Sequence, residues 1–294
     1  METGDDQLHR AFESAARERM FRRRRLVAAA VLLVVVVAVG LLFGGGDDHH
    51  ATSSASHVPI PKPPPPRPRP TSVDRVLGYT DYVESGSRRR RDVALTFDDG
   101  PSPSTPKLVK VLRSRHVPAT FFPVGYAIQR YPRYLQLLRI NHFPVGDHTM
   151  THPLLQRFAV DVQAYEIDGQ AGLVRAAGLA YPRLFRPPYG SFNPDTRILL
   201  HERRMLMVLW SVNPQDYYRP GVKVIVSRVL ASVHPGAIVL MHDGGGDRSQ
   251  TVAAVGVLIR KLRARHYRLV TVPRLLADDP PPRLQGPPPN LAGI

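Results

Sequence analysis

The chain has 294 residues, carries 40 Lys and Arg against 24 Asp and Glu for a formal charge of +16, and contains no cysteine. That length holds one domain of about 200 residues beside its terminal segments. Without cysteine there is no disulfide framework and no thiolate ligand or nucleophile, so any metal chemistry must use His and carboxylates. The charge suits a polyanionic neighbour such as anionic lipid or an acidic wall polymer. No nucleic-acid-binding motif accompanies it, so no nucleic acid is expected as a partner.

Residues 1–25 form a basic tail ending in Arg22, Arg23, Arg24 and Arg25. Residues 26–43 then run LVAAAVLLVVVVAVGLLF without a charge, which as a helix spans roughly 27 Å, enough for a bilayer core. Basic residues on its N-terminal side keep that end cytoplasmic and predict a single-pass anchor with the rest of the chain outside the membrane. A cleaved signal peptide and secretion is the alternative, although the apolar run exceeds the usual length of such peptides. Residues 44–91 read as a Pro-rich disordered linker. Its middle, 59–70, should adopt polyproline II and extend about 37 Å. The run Arg88 to Arg91 reads as a solvated lead-in drawn to headgroups or anionic wall polymers.

From residue 92 the pattern becomes regular. Strand-like apolar runs lie at 93–97, 119–124, 143–145, 184–185, 205–210, 237–241 and 267–272, with helical stretches at 104–115, 128–140, 160–177, 194–202, 222–233 and 250–265. Alternating strands and helices predict an α/β fold built from βαβ units, either a distorted (β/α) barrel of about seven strands or an open doubly wound sheet. Ligands of both architectures gather at the carboxyl ends of the strands. The expected domain covers 92–277, and the Pro/Gly-rich tail 278–294 reads as disordered.

Four polar clusters sit where strands end. Thr96-Phe97-Asp98-Asp99-Gly100-Pro101 places two carboxylates before a Gly-Pro turn; alone it is no more than a turn. His148-Thr149-Met150-Thr151-His152 places two imidazoles at i and i+4, on one face if the segment is a helical turn, where both reach one divalent ion. Joined by one carboxylate, they make a site with open positions, suited to zinc, cobalt or another transition ion. Arg186-Pro187-Pro188-Tyr189-Gly190 presents an arginine able to clamp a carboxylate, or a surface arginine in a rigid turn. Leu240-Met241-His242-Asp243-Gly244 ends a buried strand in His-Asp, or makes a plain turn.

In this order and spacing the four clusters resemble the polysaccharide deacetylase family, carbohydrate esterase family four, in its NodB-like catalytic domain, over roughly 92–275. The matching segments are TFDDG at 96–100, H-T-x-x-H at 148–152, R-x-P-Y-G at 186–190 and L-x-H-D at 240–243. The resemblance implies that Asp99, His148 and His152 bind one divalent ion, zinc first, with cobalt, manganese or nickel as alternatives. It makes Asp98 the general base, held ionised by a bidentate Arg186, and His242 the general acid, supported by Asp216. It places the Tyr189 backbone at the oxyanion, Leu240 at the acetyl methyl and Tyr217 at the sugar. The family's D-x-x-D-W segment is altered, reading Asn213-Pro214-Gln215-Asp216-Tyr217, and Asp147 adds a carboxylate before His148. The implied reaction removes N-acetyl groups from an envelope glycan, peptidoglycan N-acetylglucosamine being the first candidate substrate. An O-acetyl esterase and an inactive glycan-binding module are the competing readings.

Overall fold

The computed structural model describes residues 70–283. Its longest strand, β2 (Asp92–Asp98), is buried over all seven residues, as expected of a central strand covered on both faces. It pairs in parallel with β3 (Thr120–Phe122) and β6 (Ala237–His242), and with β7 (Arg268–Val270) along its first half. A second sheet holds β1 (Tyr82–Val83), β5 (Leu206–Val208) and β4 (Leu184–Phe185), again parallel. Single parallel bridges link the two sheets. They run from Phe121 to Val145, from Asp147 to Phe185 and from Val212 to Val239.

Strand periodicity sorts the side chains. Val93, Leu95 and Phe97 join a core under the helices α2 (Thr105–Ser114), α7 (Val222–Ser232) and α8 (Ser249–Ala264). Ala94, Phe122, Leu184, Leu206, Val208, Ile238 and Val270 make a second cluster between the strands. Because alternate residues share a face, Thr96 and Asp98 continue the side begun by Ala94. In the same way Leu240 and His242 continue from Ile238, and Arg186 from Leu184. Polar chemistry therefore sits on the inner face at the carboxyl ends of β2, β4 and β6.

Several expectations need correction. The expected strand at 143–145 is a single bridge at Val145. The expected helix 128–140 is two, α3 (Gly125–Arg130) and α4 (Pro132–Ile140), separated by Tyr131 at φ −131° and ψ 54°. Pro132 bars the helical conformation at the residue before it. The domain also begins earlier than 92. Helix α1 (Ser72–Leu77) buries Val73 and Val76, and β1 buries Tyr82 and Val83 against β5. The tail expected from 278 is ordered through its described part. Helix α9 (Val272–Asp278) packs on α1, and buried Asp279 accepts hydrogen bonds from the Ser87 hydroxyl at 2.5 Å and the Gly86-adjacent Ser87 N–H at its carbonyl. Residues 26–43, read as an anchor, lie outside the described residues; among those described, no helix is long and apolar enough to cross a membrane.

Candidate active site

Beyond β2 the chain turns sharply, with Asp99 at φ 68°. The turn is tightly enclosed: a Cβ at Gly100 would strike the Asp243 carboxylate, and one at Gly244 would strike the Asp99 backbone carbonyl. These two glycines let the ends of β2 and β6 touch. Asp243 ties them further by accepting from the Thr105 hydroxyl, while its carbonyl accepts from Ser102. Burial, reinforced by Asp99 and Asp98, pushes the Asp243 carboxyl up to about 7.

The turn brings Asp99 to two imidazoles. Nε2 of His152 lies 3.3 Å and Nε2 of His148 lies 3.6 Å from the Asp99 Oδ1. One ligand atom from each residue falls within 4.8 Å of the others. Three observations fit this triad to a divalent transition ion. The Asp99 Oδ1 is buried with no hydrogen-bond partner, which is costly unless something else satisfies it. The His148 Nδ1 lies 2.6 Å from the Arg186 carbonyl, which makes Nδ1 the donor and leaves Nε2 as a free lone pair. Finally, although burial raises the Asp99 carboxyl, its contacts with His148 and His152 carry it well below the usual range, so it is ionised.

The histidines do not lie on a helical turn. Thr149 (φ 67°) and His152 (φ 66°) are both left-handed, and the two rings converge from a tight loop with centroids 4.9 Å apart. Burial pushes the Asp147 carboxyl above its usual range, and its Oδ1 accepts from the Thr149 N–H at 2.8 Å.

Asp98 is 2 % exposed and is met by Arg186, whose side chain is wholly buried. The contact is single rather than bidentate. The Arg186 Nη1 donates to the Asp98 Oδ1 at 2.8 Å and to the Thr96 hydroxyl at 2.7 Å. The other nitrogens serve the Val208 and Leu209 carbonyls at 3.0 and 3.2 Å. The guanidinium also stacks 4.3 Å over the Phe122 ring. Spread over two strands in this way, it leaves the second Asp98 oxygen directed toward His148 at 3.8 Å.

Opposite stands His242, with Nδ1 2.7 Å from the Asp216 Oδ1. Asp216 is fully buried and its Oδ2 accepts from the His242 N–H at 2.9 Å and the Thr251 hydroxyl at 2.7 Å. Burial alone would depress the imidazole pKa. The Asp216 charge and hydrogen bond, aided by Asp99 and Asp98, reverse this and raise it from 6.5 to about 9. A raised histidine pKa stabilises the fold fully below 6.5, and that contribution fades as pH climbs through about 9. Asp216→Asn removes the largest raising influence. The descending alkaline limb of kcat/KM should then move to lower pH, and an unmoved limb in a pH–rate profile counts against His242 as the acid.

Aromatic residues rim the site. Tyr189, 57 % exposed and at φ 58°, packs edge-on to His152 at 4.6 Å. Tyr217 does the same to His242 at 5.3 Å, and Leu240 is buried on the inner face of β6. The sequence did not single out Tyr126, Thr251 or Arg248. The half-exposed Tyr126 lies close enough to Asp99 for that charge to raise its phenol, after burial. Arg248 is 5 % exposed and donates to the Gly244, Gly245 and Tyr217 carbonyls, fastening the glycine loop behind Asp99. None of the three stands at the end of a strand, which is where the sequence signal lay.

A strand-end site with a carboxylate–arginine pair, an Asp-His-His donor set able to hold a divalent ion and an Asp-supported histidine is an arrangement suited to hydrolysis. The profile described as polysaccharide deacetylase matches residues 85–207. A chitooligosaccharide deacetylase of Bradyrhizobium sp. (strain ANU 289) is 40% identical over 198 residues, 63% of this chain and 90% of the relative. A peptidoglycan-N-acetylglucosamine deacetylase of Bacillus cereus is 40% identical over 189 residues, 63% of this chain and 87% of the relative. The solved structure of a peptidoglycan N-acetylglucosamine deacetylase aligns with a TM-score of 0.66 at 28% identity, covering 70% of this chain and 97% of the other. A pseudoenzyme of carbohydrate esterase family four from Bacillus anthracis aligns at 0.63 and 29% identity, covering 66% and 68%. The chain belongs to the polysaccharide deacetylase family.

Proposed function

We propose that this protein hydrolyses N-acetyl groups on an envelope polysaccharide, with peptidoglycan N-acetylglucosamine as substrate and one divalent transition ion, zinc first, as cofactor. The observation that carries the reading is the convergence of three units in one cleft: Asp98 with Arg186, the Asp99-His148-His152 donor set, and His242 with Asp216. Relatives named for peptidoglycan-N-acetylglucosamine and for chitooligosaccharide substrates support it.

Held by Asp99, His148 and His152, a divalent ion supplies Lewis-acid polarisation of the acetamide carbonyl and a more acidic water. Asp98 takes the proton from the attacking water, and the Arg186 guanidinium holds that carboxylate aimed. Oxygen adds to the carbonyl carbon as the C–O bond forms. The amide C–N bond then breaks as His242 passes its proton to the leaving nitrogen. Acetate and a free sugar amine result. Leu240 lies on the inner face two residues before His242, where it walls the space for a methyl group. The Tyr189 main chain serves the developing oxyanion, and Tyr217 flanks the sugar. The apolar run 26–43 supports a membrane-anchored, extracytoplasmic placement of this cleft, with secretion after cleavage as the alternative.

Acetate release from N-acetylglucosamine oligomers and from purified peptidoglycan tests this reading, before and after chelation and with zinc or cobalt restored. Release that chelation abolishes and metal restores is the expected result, faster on peptidoglycan. Release only from O-acetylated glycan would establish an esterase instead. No release from any of them, with metal bound, would place the chain beside its pseudoenzyme relative. Against that outcome, Asp98, Asp99, His148, His152, Arg186 and His242 are all in place.

A further inference from the structure

We propose that Glu166 is a positioning residue for the two histidines of the site, an inference that rests on the metal reading above. Glu166 stands on α5 (Val160–Ala176) and is 5 % exposed. Taking a carboxylate out of water is costly unless it is fully hydrogen-bonded. Its oxygens are used on one short stretch of chain. Oε2 accepts from the Thr151 N–H and Oε1 from the Thr151 hydroxyl, both at 2.7 Å.

Thr151 belongs to the loop that delivers His148 and His152, and that loop has an unfavourable conformation. Thr149 and His152 both hold a positive φ without being glycine, a state that persists only when the surroundings impose it. Part of the restraint is internal, since the His152 N–H donates to the Thr149 hydroxyl at 3.0 Å. Besides the Arg186 carbonyl at His148, two outside elements hold the rest of the loop. The first turn of α3 grips the carbonyl side: the Gly125 and Tyr126 N–H groups donate to the Thr149 and Met150 carbonyls at 3.0 and 2.9 Å. Glu166 grips the N–H side. Between these two holds, the His152 Nε2 stands 3.3 Å from the Asp99 Oδ1. The same helix carries Gln170, whose amide donates to the Pro123 and Gly146 carbonyls at 2.9 and 3.2 Å. One buried polar face thus braces the loop and the chain entering it.

The test is zinc affinity of the full-length protein in detergent, measured by competition with a chromophoric chelator and without substrate. Glu166→Leu should weaken zinc binding roughly 10- to 100-fold, the range for loss of groups that orient metal ligands. Glu166→Gln should lose less, because its carbonyl still accepts from the Thr151 N–H and its amide can donate to the hydroxyl. Since Glu166 touches neither substrate nor reacting atoms, saturating zinc should return kcat of Glu166→Leu toward the wild-type value. A purely structural role would lower the melting temperature of the metal-free protein and leave zinc affinity within about twofold, which overturns the proposal. Should Glu166→Leu fail to fold, Thr151→Val removes only the hydroxyl contact. It should weaken zinc binding severalfold, and unchanged affinity there also overturns the proposal. Wild-type protein that binds no zinc would instead sink the metal reading itself, so the two failures are distinct.

Discussion

Asp98→Asn should lower kcat by about 100- to 10,000-fold, the usual contribution of a general base, while the protein still binds its metal. The amide keeps an oxygen for the Arg186 Nη1, now 2.8 Å from the Asp98 Oδ1, so the neighbourhood need not rearrange. It cannot take a proton. Because Asp98 lies outside the Asp99-His148-His152 donor set, zinc occupancy should be close to wild type. Steady-state rates and metal content on the same preparation decide the matter. A rate reduced less than about threefold would remove Asp98 from the mechanism, and lost zinc would make it a ligand rather than a base.

Arg186→Met should be costly for stability as well as rate. The wild-type guanidinium is completely buried and serves Asp98, Thr96 and the Val208 and Leu209 carbonyls together. Methionine fills much of the volume but leaves Asp98 as an unpaired buried charge, for which roughly 3–5 kcal/mol is typical. For a domain of this size that corresponds to a fall in Tm on the order of 10 °C. Arg186→Lys restores a positive charge but not the planar spread of donors, so it should fall between the two. Chemical denaturation of the three proteins side by side gives the answer; a loss for Arg186→Met below about 1 kcal/mol would mean that Asp98 is neutral or hydrated in the folded state.

Much of the site was legible because its residues end strands. Asp98, Arg186 and His242 each follow an apolar strand-like run, so the sequence places them at strand ends, and the family resemblance supplies the grouping that each cluster alone leaves open. What the sequence concealed came from elsewhere in the fold. Glu166, Arg248 and Thr251 sit on helices or in a helix-entry loop, where a polar residue looks the same whether it faces solvent or a loop behind the site. The HxxxH spacing suggested a helical turn, yet the loop satisfies it with two left-handed residues, a solution that spacing does not encode. Bidentate pairing of Arg186 was the economical expectation for one carboxylate. The guanidinium instead divides itself among four acceptors, because Val208 and Leu209 end a neighbouring strand with free carbonyls. The early boundary at 92 failed for a similar reason: Val73, Val76 and Val83 are few and scattered among polar residues, although each is buried.

That early start has a practical meaning for limited proteolysis of the domain. The exposed run Arg88 to Arg91 offers an obvious cleavage point to trypsin-like proteases. A cut there would fall inside the folded domain. It would separate β1 from the chain that carries β2 and leave the edge of β5 dependent on a detached peptide for its hydrogen bonds. Cleavage before residue 70 would instead leave every described element on one chain. Whether proteolysis leaves the domain covalently whole therefore depends on which side of α1 the protease reaches.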